Sequence, residues 1–126
     1  MTRNRVYDNV STESVSASLR RRADIANNAA ADLFVSIHCN AGGGTGAETY
    51  YYYNNSYGAA LAQNIQGYVS SMLGLRDRGI KEAGFAVLKY TSMTAVLVET
   101  AFIDTASDAA ILADGGCQQL YAEAIT

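Results

Sequence analysis

The sequence predicts an α/β fold: a mainly parallel sheet flanked by helices on both faces. Three observations carry this prediction. Short apolar runs rich in branched and aromatic residues, at 33–38 and 95–100, read as buried strands. Longer segments with apolar residues at helical spacing lie between such runs. The two patterns alternate along the chain, which is what strands covered by helices require. The 126 residues are 49% hydrophobic and 17% charged, which suits one globular domain with a modest core. Residues 1–126 are therefore read as a single domain, with no internal repeat and no linker.

The elements follow in order. Residues 1–12 are polar and irregular. Residues 15–30 turn helical, with Val15, Leu19, Ile25 and Ala26 on one apolar face and Arg20, Arg21 and Arg22 on a solvated one. Residues 33–38 (Leu-Phe-Val-Ser-Ile-His) form the first apolar strand. Residues 40–46 are a glycine-rich flexible loop, and 47–53 a second strand with its tyrosines on alternating faces. Asn54-Asn55-Ser56 breaks that strand and can cap a helix over 57–73, whose apolar positions are Leu61, Ile65, Tyr68, Val69 and Met72. Gly74 ends the helix. Residues 75–84, charged and bounded by glycine, read as a surface loop. Strands are expected at 85–90 and 95–100, the latter (Ala-Val-Leu-Val-Glu-Thr) being the purest buried-strand pattern present. Short helices at 107–113 and 117–125 close the chain, separated by Gly115-Gly116.

Bulk properties exclude several classes. The net charge of −3 argues against a nucleic-acid partner, because phosphate binding needs a basic surface. No apolar run approaches the roughly 20 residues that span a bilayer. The first residues carry no apolar stretch, so they are no secretory signal. Cys39 and Cys117 stand far apart, outside any CxxC, and are expected as small buried thiols.

Two polar residues close apolar strands: His38 ends 33–38 and Glu99 ends 95–99. In parallel sheets, reactive groups gather beyond the carboxyl ends of strands. A charge near a core is costly unless paired or bound to metal. Together the pair suggests hydrolysis, with histidine on a metal and glutamate as general base toward water. A hydrogen-bonded core histidine and an edge-exposed glutamate remain open alternatives. Residues 42–46 lack a P-loop lysine, and a strand follows them, so no helix N-terminus is offered to a phosphate. Cys39 would point away from His38. Ser36 and Ser92 have no histidine–acid pair around them. The tyrosines at 50–53 serve packing or, where exposed, sugar stacking. Asn40, Arg78 and Lys81 are candidate substrate contacts, with solvated loop charge the preferred reading for Arg78 and Lys81.

Several segments, in order, resemble the zinc-dependent N-acetylmuramoyl-L-alanine amidases of bacterial autolysins, germination enzymes and phage endolysins. They are Thr2-Arg3, Leu19-x-x-Arg22-x-x-x-Ala26-Asn27 and Ala31-Asp32-Leu33-Phe34-Val35-Ser36-Ile37-His38-Cys39-Asn40-Ala41. Gly46-Ala47-Glu48-Thr49-Tyr50-Tyr51, Phe85-Ala86-Val87-Leu88 and Ala95-Val96-Leu97-Val98-Glu99-Thr100-Ala101-Phe102-Ile103 continue the series, and Asp108 and Leu112 fit the helix beyond. The resemblance implies cleavage of the amide between N-acetylmuramic acid and L-alanine in peptidoglycan, by zinc-activated water. It makes His38 a zinc ligand and Glu99 the catalytic glutamate. It also implies a cell-envelope or secreted location.

The same resemblance sets limits. The family holds zinc with two histidines and a glutamate, two of which would precede Thr2, and His38 is the only histidine here. Thr94 stands where the family often has proline, and Ala101 where it often has glycine. The expectation is an amidase domain incomplete at its N-terminus, lacking the family's first strands, with an incomplete zinc site and little or no activity of its own. The alternative is a non-catalytic wall-binding or regulatory module on the same fold. An exposed sheet edge would then favour self-association.

Overall fold

The computed structural model describes residues 14–126; the family match at Thr2-Arg3 and the irregular start at 1–12 lie outside the described residues. The elements run α1 (Val15–Asn28), β1 (Leu33–Asn40), β2 (Ala47–Tyr51), α2 (Ser56–Leu73), β3 (Asp77–Glu82), α3 (Ala86–Lys89), β4 (Thr94–Phe102), α4 (Ala106–Ala113) and α5 (Gly115–Ile125). The four strands form one sheet in the order β1-β4-β2-β3. β1 lies parallel to β4, and β2 parallel to β3; β2 and β4 are antiparallel. The fold is thus α/β with a mainly parallel sheet between helices.

Each face of the sheet has its own core. On one face, Ala47, Val96 and Val98 meet Ala62, Ile65 and Val69 of α2 and Tyr121 and Ala124 of α5. On the other, Phe34, Ala95 and Leu97 meet Ala26 of α1 and Val87 and Leu88 of α3. Alternation along β4 produces this division, because successive side chains point to opposite faces. Asn27 clips α1 to the loop before β4: its Oδ1 accepts from the Ser92 N–H and hydroxyl, and its amide donates to the Tyr90 carbonyl.

Local chemistry explains the boundaries. Ser14 and Asn55 accept from the N–H groups of Ala17 and Gly58, capping α1 and α2. Gly74 ends α2 in the left-handed conformation. Asp114 caps α5 through the Cys117 N–H, so Gly115-Gly116 forms the first turn of that helix rather than a break.

Four expectations need correction. Residues 77–82 form edge strand β3, not a loop. Its polar composition hid it, since an edge strand need bury only part of one side. Residues 86–89 form a helical turn, not a strand: the Leu88 and Lys89 N–H groups donate to the Phe85 carbonyl, which lets adjacent Val87 and Leu88 both bury. On α1, Val15 and Ile25 are exposed and Ala23 and Ala26 form the buried stripe; on α2, Tyr68 is exposed likewise. Cys39 is exposed and Cys117 half-buried, so neither is a core thiol.

Candidate active site

β1 and β4 place His38 directly opposite Glu99. On the other side of β4, Glu99 lies directly opposite Glu48 of β2. Three chemically capable side chains thus stand in one row across three strands. The row continues the face that carries Phe34, Ala95 and Leu97, at the end of the sheet where β1 and β4 finish. His38 and Glu99, singled out by the sequence as strand-closing residues, are brought together. The strands run on past both, to Asn40 and Phe102.

Glu48 is the residue that sequence reasoning missed. It is 4% exposed. Its Oε1 accepts from Asn40 Nδ2 (3.0 Å) and Tyr50 Oη (2.8 Å), and its Oε2 accepts from Arg78 Nε (3.0 Å) and Lys81 Nζ. The signal was available: a charged residue inside a short strand that otherwise buries Ala47 and Thr49 must have partners. Asn40, the expected substrate contact, is half-buried and braces Glu48; its own Oδ1 accepts from the Ala41 N–H. Arg78 and Lys81 are corrected from solvated loop charge to strand residues bound to this buried carboxylate.

Their convergence has a backbone cause. The β2–β3 register pairs Ala47 with Asp77 but Thr49 with Ile80, so β3 holds one extra residue there. Gly79 supplies it, at φ +82°, a region that glycine enters without strain. Without the bulge, residues three apart would face opposite ways. With it, Arg78 and Lys81 both reach Glu48, while Ile80 between them packs into the core on the other face.

The electrostatics of the row are opposed. Burial pushes the Glu48 carboxyl up, but hydrogen bonds from Lys81, Tyr50 and Arg78 and the charge of Lys81 outweigh it, bringing the pKa to about 2. Glu99 moves the other way: burial raises its pKa, and the Glu48 charge raises it further. Among the described residues, Glu99 Oε2 is buried without a hydrogen-bond partner. Tyr50 is pushed up to about 12 by burial, by its hydrogen bond to Glu48, and by the charges of Glu48 and Glu99. It packs edge-on against Phe85, ring centroids 5.1 Å apart. His38 Nε2 lies 3.0 Å from Ser36 Oγ on the same strand face.

The glycine-rich loop beside the row is not free. Asp104 accepts from the Gly42 and Gly43 N–H groups, and Asp108 from Thr45 Oγ1 and from the Gly46 and Phe102 N–H groups. Thr105 Oγ1 donates to the Gly44 carbonyl. The loop is therefore tied to the end of β4, and Asp108, 2% exposed, links it to α4.

A catalytic zinc needs about three protein ligands and an open position. Among the described residues, no group of three His, Cys, Asp or Glu side chains could hold a metal. His38 offers one imidazole, Glu48 is committed to its four donors, and the described residues alone do not fit a zinc site. The chemistry they do supply is a partly buried carboxyl with a raised proton affinity, an imidazole beside it, and a cation pair on the outer strand.

Comparison with known proteins adds independent findings. A family model described as N-acetylmuramoyl-L-alanine amidase matches residues 1–126. The N-acetylmuramoyl-L-alanine amidase LytC of Bacillus subtilis (strain 168) is 48% identical over 115 residues, which are 86% of this chain and 23% of that protein. The endolysin of Bacillus phage SPP1 is 45% identical over 98 residues, 72% of this chain and 36% of that protein. The crystal structure of an N-acetylmuramoyl-L-alanine amidase from Clostridium difficile 630 superimposes with a TM-score of 0.81 at 40% identity, covering 85% of this chain and 60% of that one. The chain thus spans only part of the length of these relatives.

Proposed function

The chain belongs to the N-acetylmuramoyl-L-alanine amidase family, and on that premise we propose that it forms part of a peptidoglycan hydrolase. The bond cut is the amide between N-acetylmuramic acid and L-alanine, and the setting is the cell envelope or outside the cell. The observation that carries the reading is the alignment of His38 with Glu99 across neighbouring strands. A carboxyl whose proton affinity is raised by burial is suited to take a proton from water and return it to the departing amine. Glu99 has that role here, and among the described residues its buried Oε2 has no hydrogen-bond partner, which leaves its proton-binding capacity uncommitted. Asn40, half-buried between the row and the glycine-rich loop, is the proposed substrate contact on that side.

Zinc is part of this proposal through the family resemblance, with His38 as one ligand. Zinc chemistry would supply polarisation of the scissile carbonyl. One imidazole does not make a tight site, so the 126 residues alone are expected to hold zinc weakly and to be weakly active or inactive. The shortage of donors also favours a second reading, a non-catalytic wall-binding or regulatory module on the same fold. Self-association is proposed as well, because no described strand pairs with the outer edge of β1, where Leu33 and Ile37 are exposed.

One experiment separates the two functions. Glu99→Gln is introduced into a longer, amidase-active form that carries these residues, and release of stem peptides from peptidoglycan is measured beside metal content. The enzyme reading expects activity to fall by about 100-fold or more with folding and zinc content unchanged. Undiminished release would remove Glu99 from the role. Stoichiometric, tight zinc on the unaltered 126-residue chain would overturn the expectation of an incomplete site.

A further inference from the structure

The outer end of the row has more positive charge than its carboxylate needs. Glu48 carries one negative charge, and Arg78 and Lys81 bring two positive ones to it. The four hydrogen bonds that Glu48 accepts fill the sites of its two oxygens. Arg78 spends only its Nε there. A guanidinium has five N–H donors, and among the described residues the terminal nitrogens of Arg78 find no acceptor. The other acids on β3 are already placed: Asp77 accepts from Gln66 and the Gly79 N–H, and Glu82 from Tyr51.

The guanidinium is also held rigid. Its Nε is anchored on a buried carboxylate, and its Cζ lies over the Phe102 ring, 4.9 Å from the centroid. Anchored by one edge and one face, it presents its two-pronged end, the geometry that receives a carboxylate through two parallel hydrogen bonds. The Arg78 side chain is 28% exposed and that of Lys81 39%, so both are accessible from solvent.

We propose that Arg78 and Lys81 form a carboxylate-binding subsite for the peptide part of the substrate, one or two residues beyond the amide held at Glu99. The placement follows from the sheet. Arg78 reaches from β3 back to Glu48 on β2, so its guanidinium lies between one and two strand spacings from Glu99, roughly 5–10 Å. An extended peptide advances about 3.3–3.6 Å per residue, which matches an acidic residue following the alanine. Glu48 is then a positioning residue: it fixes the two cations and touches no substrate. The subsite determines which peptides are accepted, and it rests on the amidase reading only for the identity of the amide at Glu99.

The test is an NMR titration of the 126-residue chain with two probes: lactoyl-L-alanyl-glutamate with free carboxylates, and the same peptide with each carboxylate converted to carboxamide. The free-carboxylate form is expected to bind about ten-fold more tightly. That preference should shrink to within about two-fold in Arg78→Gln and be reduced in Lys81→Met, with spectra showing both variants folded. The probe comparison on the unaltered chain stands even if a variant fails to fold. Equal binding of the two probes, or a preference that survives Arg78→Gln, overturns the subsite and leaves the amidase reading intact. Failure of both probes to bind the unaltered chain also overturns the subsite, while the amidase reading stands or falls separately on the Glu99→Gln measurement.

Discussion

The two faces of the sheet are made by the same strands and differ in almost everything else. Val98 and Glu99 are neighbours in sequence, yet Val98 is wholly buried in the layer beneath α2 and α5, while Glu99 stands in the polar row. The first face admits polar groups only when they are fully paired. Thr49 donates to Gln66, which donates in turn to the Ala47 carbonyl and to Asp77. The second face is apolar only at the Phe34–Leu97 level. Beyond it lies an acid with one buried oxygen unpartnered, beside a second acid held ionised. One face is arranged to be stable, the other to hold groups in states that water would not favour.

Three measurements test that contrast. The largest effect belongs to the dry face. Ile65→Ala, at a position 4% exposed, should cost about 2–5 kcal/mol in urea denaturation, by lost burial and the cavity left behind. Binding at Arg78 should be unchanged in the protein that remains folded. A smaller loss there would mean that the α2 layer collapses around the gap.

Next comes Glu48→Gln. The Glu48 pKa is depressed from 4.5 to about 2, so its ionised form stabilises the fold above pH 4.5, and that contribution is lost as pH falls toward 2. The stability difference between the unaltered chain and the variant should be about 2–3 kcal/mol near neutrality and should close across that acid window. A difference that does not depend on pH would show that Glu48 acts through shape rather than charge. The smallest expected effect is Gly79→Ala. Nothing crowds a Cβ there, but the φ of +82° strains any side chain, at about 1–2 kcal/mol. Relief of that strain should also separate Arg78 from Lys81, seen as weaker binding of an acidic peptide.

What was legible in the sequence follows the same division. The strand that carries Glu99 and the long helix ending at Gly74 announced themselves, because burial on both faces leaves an unbroken apolar run and a helix stripe leaves a period; the strand that carries His38 has an apolar run too, although Leu33 and Ile37 on it are exposed rather than buried. His38 and Glu99 were legible for the inverse reason, as polar residues where the run should have stayed dry. β3 was not legible. Its Asp-Arg-Gly-Ile-Lys-Glu has one core residue, and the bulge at Gly79 breaks the alternation that would mark a strand. The turn at 86–89 was misread because Phe, Val, Leu and Tyr favour strands, a preference overridden once Val87 and Leu88 both pack against the core. Glu48 is not legible as a site residue in its strand, since its importance lies in partners 30 and 33 positions away. Spacing along the chain cannot reveal those partners before the sheet is known.

The bulge at Gly79 also changes what counts as the portable unit of this site. Arg78 and Lys81 sit three positions apart and still share a face. Copying those two residues, at the same interval, into a regular strand of another scaffold would send them to opposite sides of the sheet. The segment that would have to travel is all four residues, Arg78-Gly79-Ile80-Lys81, with the glycine as the silent member that keeps the other three in phase. For anyone aligning relatives or grafting specificity, a one-residue gap at position 79 is therefore a functional mark, on a par with a substitution at either cation.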